Sequence, residues 1–313
     1  GTGLQQVTCL IDRMGSGISH AIGTGGRDLH REVGGTTMRQ GLNALADDPE
    51  TRVIVIVSKP PAPEVAQRIL AAAAFADKPV GVNFLGVDPR DVTGDNLYAA
   101  RTLEEAAVLA VCLDRGSGAP QPVLGDTAPA LSELPRFGPA QRFVRGLFSG
   151  GTFCYEALLL LTESLGDVRS NTPLDSALGM PDVWRGEGHS VEDLGDDRFT
   201  RGRPHPIIDH RLRNDRIVQE SEDPETAVIL LDVVLGFGAH PEPAAEMLPA
   251  IAAARERADA LGGEIAFVAS VCGTDGDSQG LGRQEALLRD GGVLIAPSNR
   301  RAALLAAALL AGE

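Results

Sequence analysis

Three clusters of glycine with a hydroxyl residue are the first places where this chain has the makings of a chemical site. They are Gly1-Thr2-Gly3, Gly23-Thr24-Gly25-Gly26 and Ser149-Gly150-Gly151-Thr152. The first and third stand immediately before an apolar-periodic stretch that reads as a helix. The stretches are "GTGLQQVTCLIDRMG" and "FSGGTFCYEALLLLTESLG", and each ends near a glycine, Gly15 or Gly166. A Gly/Ser/Thr turn feeding a helix exposes the first backbone N–H groups and the positive end of the helix dipole, which suits phosphate or carboxylate. Glycine lets an anion approach the backbone, and the hydroxyl of Thr2, Ser149 or Thr152 adds a donor. An ordinary N-cap has the same appearance. Two such motifs in one chain raise the prospect of two helix N-termini facing one anion. "GTGG" at 23–26 follows the strand-like "SHAI" and is expected at a strand carboxyl end, where open α/β sheets hold ligands. It is not a dinucleotide fingerprint, because no G-x-G-x-x-G opens a helix there.

Two histidines are candidates for acid–base or carbonyl-polarising work. His20 lies just before "GTGG", and His240 follows Gly236-Phe237-Gly238 at the end of a central strand. For either, a satisfied strand histidine is the plain alternative. His205 sits in "RPHPIID" as a turn residue, near Arg201, Arg203 and Arg211, which can clamp carboxylates or simply be solvated. Cys272-Gly273-Thr274 ends another strand and can line the same edge. No basic neighbour in sequence activates Cys272 as a nucleophile. His205 and His210 are poorly spaced for a shared metal on a helix, and no metal site is expected.

The elements that must position these groups come in two similar sets. "DPET" occurs at 48–51 and again at 223–226, each time entering an apolar, β-branched run, "RVIVIVS" or "AVILLDVVLG". Runs without alternation suit parallel strands covered on both faces. In both copies a helical stretch precedes the motif, and a helix and a second strand follow the first. Such alternation implies right-handed crossovers and a doubly wound sheet. Matched order makes duplication a better reading than shared composition. The expected fold is α/β: two tandem flavodoxin-like, doubly wound parallel-sheet domains at 1–116 and 145–313, joined by a Gly/Pro-rich linker at 117–144.

The 313 residues carry a formal net charge of −15, with 43% hydrophobic and 23% charged residues. This is a globular composition, and its acidity argues against nucleic-acid or anionic-membrane surfaces. No stretch reaches the length of a membrane span; "AALLAAALLAG" at 302–312 is too short. Four scattered cysteines form no C-x-x-C pair, which fits buried thiols in a reducing cytoplasm. The sequence opens inside a motif, and an N-terminal region is expected before Gly1.

These residues resemble a known family. "GSGISHAIGTGGRDL" followed by "DPETRVIVIVS" is similar to the ligase domain of the succinyl-CoA synthetase α-subunit. "SGGTFCYEA" resembles that family's "SGTLTYEA" helix start, and "GTGLQQVT" resembles the β-subunit's. The tandem arrangement, with "GMPDVWRGEGHS", "HPIID", "ILLDVVLGFGAHP" and "VCGTDGDSQG", looks most like the FdrA family over nearly the whole chain. Members usually carry an N-terminal nucleotide-fold domain before the first glycine helix. The resemblance implies a subunit of an oxamate-type carbamoyltransferase in ureide and purine catabolism, acting with other subunits on small anions, with phosphate or carbamoyl phosphate as substrate. The synthetases carry a phosphohistidine in a "GHAGA"-like loop. The matching region, 86–100, has no histidine, which disfavours that relay. The alternatives are an acyl-CoA synthetase relative, for which CoA would be a ligand, and a non-catalytic scaffold. No resident cofactor is expected under the first reading.

Overall fold

The structure is a computed structural model that describes residues 1–116 and 135–311. It divides into two compact units, Gly1–Leu124 and Gly125–Glu313. Of the expected linker, residues 117–134 lie outside the described residues. Its last residues already begin a strand, because Phe143 pairs with Thr226.

The first unit runs α1 (Thr2–Arg13), α2 (Thr36–Asp47), β1 (Ile54–Ser58), α3 (Pro63–Ala74), β2 (Val80–Phe84), β3 (Leu97–Ala99) and α4 (Leu103–Arg115). Its sheet is parallel, in the order β1-β2-β3. Ile54, Ile56, Val80 and Val82 meet Val65, Ile69 and Ala73 of α3 and Leu42 of α2 in one core. On α1, Val7, Leu10 and Ile11 are buried, and α1 packs against α4. Pro63 opens α3, where its missing N–H costs nothing. Thr102 caps α4 by accepting the Glu105 N–H at 3.1 Å. The expected strand at "SHAI" is not formed: residues 15–24 are irregular and mostly exposed, and no described strand pairs with them. "GTGG" therefore does not stand at a strand carboxyl end.

The second unit runs β4 (Phe143–Phe148), α5 (Gly151–Leu165), β5 (Val168–Ser170), β6 (His189–Asp193), α6 (Asp197–Thr200), α7 (Arg211–Glu220), β7 (Thr226–Val234), α8 (Pro243–Ala260), β8 (Ala266–Cys272), α9 (Leu281–Asp290), β9 (Leu294–Ala296) and α10 (Asn299–Ala311). All six strands are parallel, in the order β5-β6-β4-β7-β8-β9. β7 is buried along its whole length, as a continuous apolar run predicts. Helices α5 and α10 pack together, and so do α7 and α8. From β4 the chain first goes out to β5 and β6, then crosses to β7 on the other side. The carboxyl ends of β4 and β7 thus form the topological switch point, the crevice where such sheets hold ligands.

Both "DPET" copies make the same turn. Asp48 Oδ1 accepts the Glu50 N–H and the Asp48 carbonyl accepts the Thr51 N–H, both at 3.2 Å. Asp223 Oδ1 accepts the Glu225 N–H at 2.9 Å, and its carbonyl accepts the Thr226 N–H at 3.0 Å. The acid folds back on its own backbone and delivers the chain into β1 or β7.

Candidate anion site at the switch point

Two residues, Ser149 and Gly150, link β4 to α5. A sharp turn of this kind leaves amides without partners, and a buried carboxylate supplies them. Asp232, on the buried β7, accepts the Ser149 N–H at 2.7 Å, the Gly150 N–H at 2.8 Å and the Ser149 hydroxyl at 2.9 Å. Arg213 of α7 closes the group, with Nη1 at 3.1 Å from Asp232 Oδ1 and 2.6 Å from its carbonyl oxygen. Asp232 and Arg213 are both fully enclosed. The turn is thereby fixed before any ligand arrives. Beyond it, α5 has no side-chain cap, and the amides of Gly151, Thr152 and Phe153 begin the helix without intrahelical acceptors. The positive end of a fifteen-residue helix thus opens at the switch point.

Three histidines from two loops stand at this edge. His205 Nδ1 accepts the Ile207 N–H at 3.3 Å, so Nε2 carries the proton of the neutral ring. Gly195 sits where His205 Nε2, the Ser149 carbonyl and Asp193 Oδ1 converge: a Cβ there would lie 2.7, 3.0 and 3.1 Å from them. Burial lowers the His205 pKa, while Asp232 pulls the other way. His210 is enclosed, and burial, reinforced by Arg213 and His240, pushes it down to about 2. Its ring lies 5.1 Å from that of His240. His240 Nδ1 accepts the Glu242 N–H at 3.1 Å, and the His240 backbone N–H donates to the Ile207 carbonyl at 2.9 Å. In the neutral ring its Nε2–H is left as a donor.

The glycine loop after β7 is braced from the loop that follows β8. Gln279 accepts the Gly236 N–H at 3.3 Å and donates to the Gly236 carbonyl at 2.8 Å. Gly236 has φ +126°, open only to glycine, and Phe237 beyond it is wholly exposed, with Gly238 next. Cys272 is buried at the end of β8, and its carbonyl accepts the Leu235 N–H at 2.9 Å. Gly273 is a packing glycine, since a Cβ would strike the Leu235 side chain at 2.6 Å. Thr274 is half-buried, and its N–H and hydroxyl both donate to Asp277. Of the expected arginine clamp, Arg211 is held by Asp209 in its own turn, and Arg203 lies 5.8 Å over the Trp184 ring.

The second unit therefore brings together Ser149, Gly150, Gly151, Thr152, Gly236, Gly238, His240, Cys272, Gly273 and Thr274 along one sheet edge. Sequence reasoning missed Asp232 and Arg213, and it left His210 out of the site. The one signal for Asp232 was an acid inside an otherwise apolar strand. In the first unit, α1 starts at Thr2 with Gly1 as its N-cap, and Thr2 and Gly3 are buried. Gly23, Gly25 and Gly26 are exposed, and Thr24 is half-buried. His20 is 57% exposed, 3.5 Å from Asp48.

A parallel sheet with its first helix rising from a glycine turn at the switch point is a doubly wound α/β domain. Residues 147–309 match the CoA-ligase family, and the chain belongs to it. Over 310 residues it is 42% identical to the uncharacterized protein YahF of Escherichia coli K12, covering 98% of this chain and 60% of YahF. Among solved structures, it is 12% identical to the dinucleotide-forming acetyl-coenzyme A synthetase 1 of Ca. Korarchaeum cryptofilum in complex with phosphate and ADP. That match covers 88% of this chain and 55% of the synthetase at a TM-score of 0.37. The Methanothrix soehngenii ATP citrate lyase in complex with citrate and coenzyme A is also 12% identical, with 88% and 37% covered and a TM-score of 0.32. The chain thus spans three fifths of YahF and little more than half of the synthetase. Among the described residues no helix is long and apolar enough to cross a membrane.

Proposed function

We propose that this chain is an FdrA-type member of the CoA-ligase family and the group-transfer component of a carbamoyltransferase that works on oxalurate and phosphate. The observation that carries the reading is the turn after β4. Asp232 locks Ser149 and Gly150, so that the amides of Gly151, Thr152 and Phe153 are preorganised donors at the switch point. Phosphate sits on those amides. One of its oxygens attacks the ureido carbonyl carbon of oxalurate. The carbon–nitrogen bond to the oxamate half breaks, and that nitrogen leaves with the proton given up by phosphate. The products are carbamoyl phosphate and oxamate. His240, with Nε2–H as its remaining donor, polarises the carbonyl or relays the proton. No covalent enzyme intermediate is required; the contribution is holding two anions in one orientation.

The test is to mix the full-length protein and the subunits encoded beside it with oxalurate and phosphate. Carbamoyl phosphate is then trapped as citrulline with ornithine and ornithine transcarbamoylase. Turnover that depends on this chain supports the reading. A second reading, acyl-CoA ligase chemistry, is favoured by the family match over 147–309. CoA-dependent nucleotide hydrolysis without citrulline would establish that reading instead.

A further inference from the structure

His240 is carried on residues 235–242, the stretch between β7 and α8. That stretch has little stiffness of its own. Gly236 stands at φ +126°, and a Cβ on Gly238 would meet nothing within 4 Å. Among the described residues, one backbone hydrogen bond is made within 236–241, from the Ala239 N–H to the Gly236 carbonyl at 3.1 Å. A glycine-bearing loop with so few internal bonds has many backbone states open to it. A histidine that has to meet a reacting group within hydrogen-bond reach therefore needs anchors from outside the loop.

One side chain supplies most of them. Gln279, between β8 and α9, is 3% exposed. Its Oε1 accepts the Gly236 N–H at 3.3 Å, and its Nε2 donates to the Gly236 carbonyl at 2.8 Å and to the His240 carbonyl at 3.3 Å. A primary amide has an acceptor oxygen and two N–H donors, and here it meets one N–H and two carbonyls. A carboxylate of the same length would offer no donor, and an ammonium no acceptor. The amide therefore ties both ends of 236–240 together, while the Ile207 carbonyl holds the His240 N–H from another loop at 2.9 Å.

Gln279 is fixed in turn by its neighbours. Its carbonyl accepts from Gln284 Nε2 at 3.1 Å and from Arg283 Nη2 at 2.9 Å. Gln284 is wholly enclosed and accepts the Ala244 N–H at 3.0 Å, at the start of α8. Arg283 pairs with Glu242 at 2.7 and 2.8 Å. Glu242 is the residue whose N–H orients the imidazole through Nδ1. The backbone and the ring of His240 thus depend on one network centred on Gln279. Among the described residues, no hydrogen bond joins Gln279, Gln284 or Glu242 to the Ser149–Gly150 turn.

We infer that Gln279 is the positioning residue of His240: it holds the loop after β7 so that the imidazole presents Nε2–H at the sheet edge for the proposed transfer. The role of His240 in that transfer rests on the carbamoyl-transfer reading. The placement of its imidazole is measurable without turnover.

The parent is compared with Gln279→Ala and with Gln279→Glu, which has the same length and keeps an acceptor for Gly236 but loses both donors. Long-range ¹H–¹⁵N NMR of the histidine-labelled chain reads the tautomer of His240, and the citrulline assay on the full-length protein with its subunits reads transfer. In the parent, His240 shows one tautomer, with the proton on Nε2. In both variants its Nδ1 and Nε2 signals move toward each other, as averaging between tautomers requires. The kcat falls by about 30- to 100-fold, whereas the KM for phosphate changes by less than about 3-fold, because Gln279 does not touch the α5 amides. In a His240→Ala background, Gln279→Ala costs less than about 3-fold, since nothing is left to position. The inference is overturned if the folded variants keep the parent's His240 signals, if kcat is unchanged, or if Gln279→Ala costs as much without His240 as with it. A parent that does not turn over oxalurate removes the carbamoyl-transfer reading alone, and the tautomer comparison still decides what Gln279 does. Trp184 fluorescence checks that each variant is folded; where Gln279→Ala is not, Gln279→Glu carries both readouts.

Discussion

Replacing Asp232 probes the turn on which the proposed site depends. In Asp232→Ala, the Ser149 and Gly150 amides and the Ser149 hydroxyl lose their acceptor, and Arg213, 1% exposed, keeps its charge without a counter-ion. Removing one partner of a buried ion pair costs roughly 3–5 kcal/mol. Orphaned buried amides cost about 1–3 kcal/mol each, although the terms overlap and do not sum. A loss of about 4–5 kcal/mol is expected. Asp232→Asn keeps one acceptor oxygen and should lose about 3 kcal/mol. With an m-value of about 2–3 kcal/mol/M in urea, the alanine variant should unfold roughly 1.3–2.5 M earlier. Trp184 is the sole tryptophan and packs edge-on against Phe199 in the second unit, so its fluorescence follows that unit. The double variant Asp232→Asn/Arg213→Met removes the stranded charge and should show a coupling of about 2 kcal/mol or more against the two single variants. An alanine variant that loses less than about 1 kcal/mol, or a coupling near zero, would refute the account of this turn.

Three further outcomes follow from the same structure. Gly195→Ala places a methyl 2.7 Å from His205 Nε2 and 3.0 Å from the Ser149 carbonyl, so transfer activity should fall by about 100-fold while stability falls by less than about 2 kcal/mol. Burial, with Arg216 opposing and Glu220 adding to it, raises Glu192 to about 7. Between its unfolded value of 4.5 and about 7 the folded state holds the extra proton, so Glu192 contributes stability below pH 4.5 that is lost as pH rises through 7. His210, lowered from 6.5 to about 2, acts in the opposite sense, contributing stability above pH 6.5 that is lost as pH falls. Urea midpoints measured from pH 4.5 to 7.5 should therefore show Glu192→Gln more acid-sensitive than the parent, and His210→Gln less so.

The parts of the fold that were legible are those in which burial and composition agree. β1, β7 and β8 are continuous apolar runs, and Pro63 and the two "DPET" turns punctuate them as single residues predict. β4, β5 and β6 were hidden because buried polar residues interrupt them: Arg145 on β4, Ser170 on β5, and Ser190, Glu192 and Asp193 on β6. Arg145 on β4 and Glu192 on β6 are enclosed, and they are tolerated through ion pairs to Glu220, Asp223 and Arg216. A hydrophobicity pattern cannot register a buried charge whose partner lies on another element. The same limit hid Asp232 and Arg213. The glycine-hydroxyl helix start at 149–152 was legible because its chemistry is local. The convergence of His205, His210 and His240 was not, because it needs the sheet to bring two loops to one edge. "SHAI" shows the converse case: a strand-like composition that is irregular in the structure.

The central claim is that a phosphate-sized anion binds on the first amides of α5. The most direct measurement is a titration of the ¹⁵N-labelled protein with inorganic phosphate and then oxamate, followed at the amides of Gly151, Thr152 and Phe153. The account predicts saturable shifts at those three amides and at His240, over the phosphate concentrations that support turnover. Phosphate-dependent turnover with those amides unmoved, or shifts confined to other residues, would contradict it.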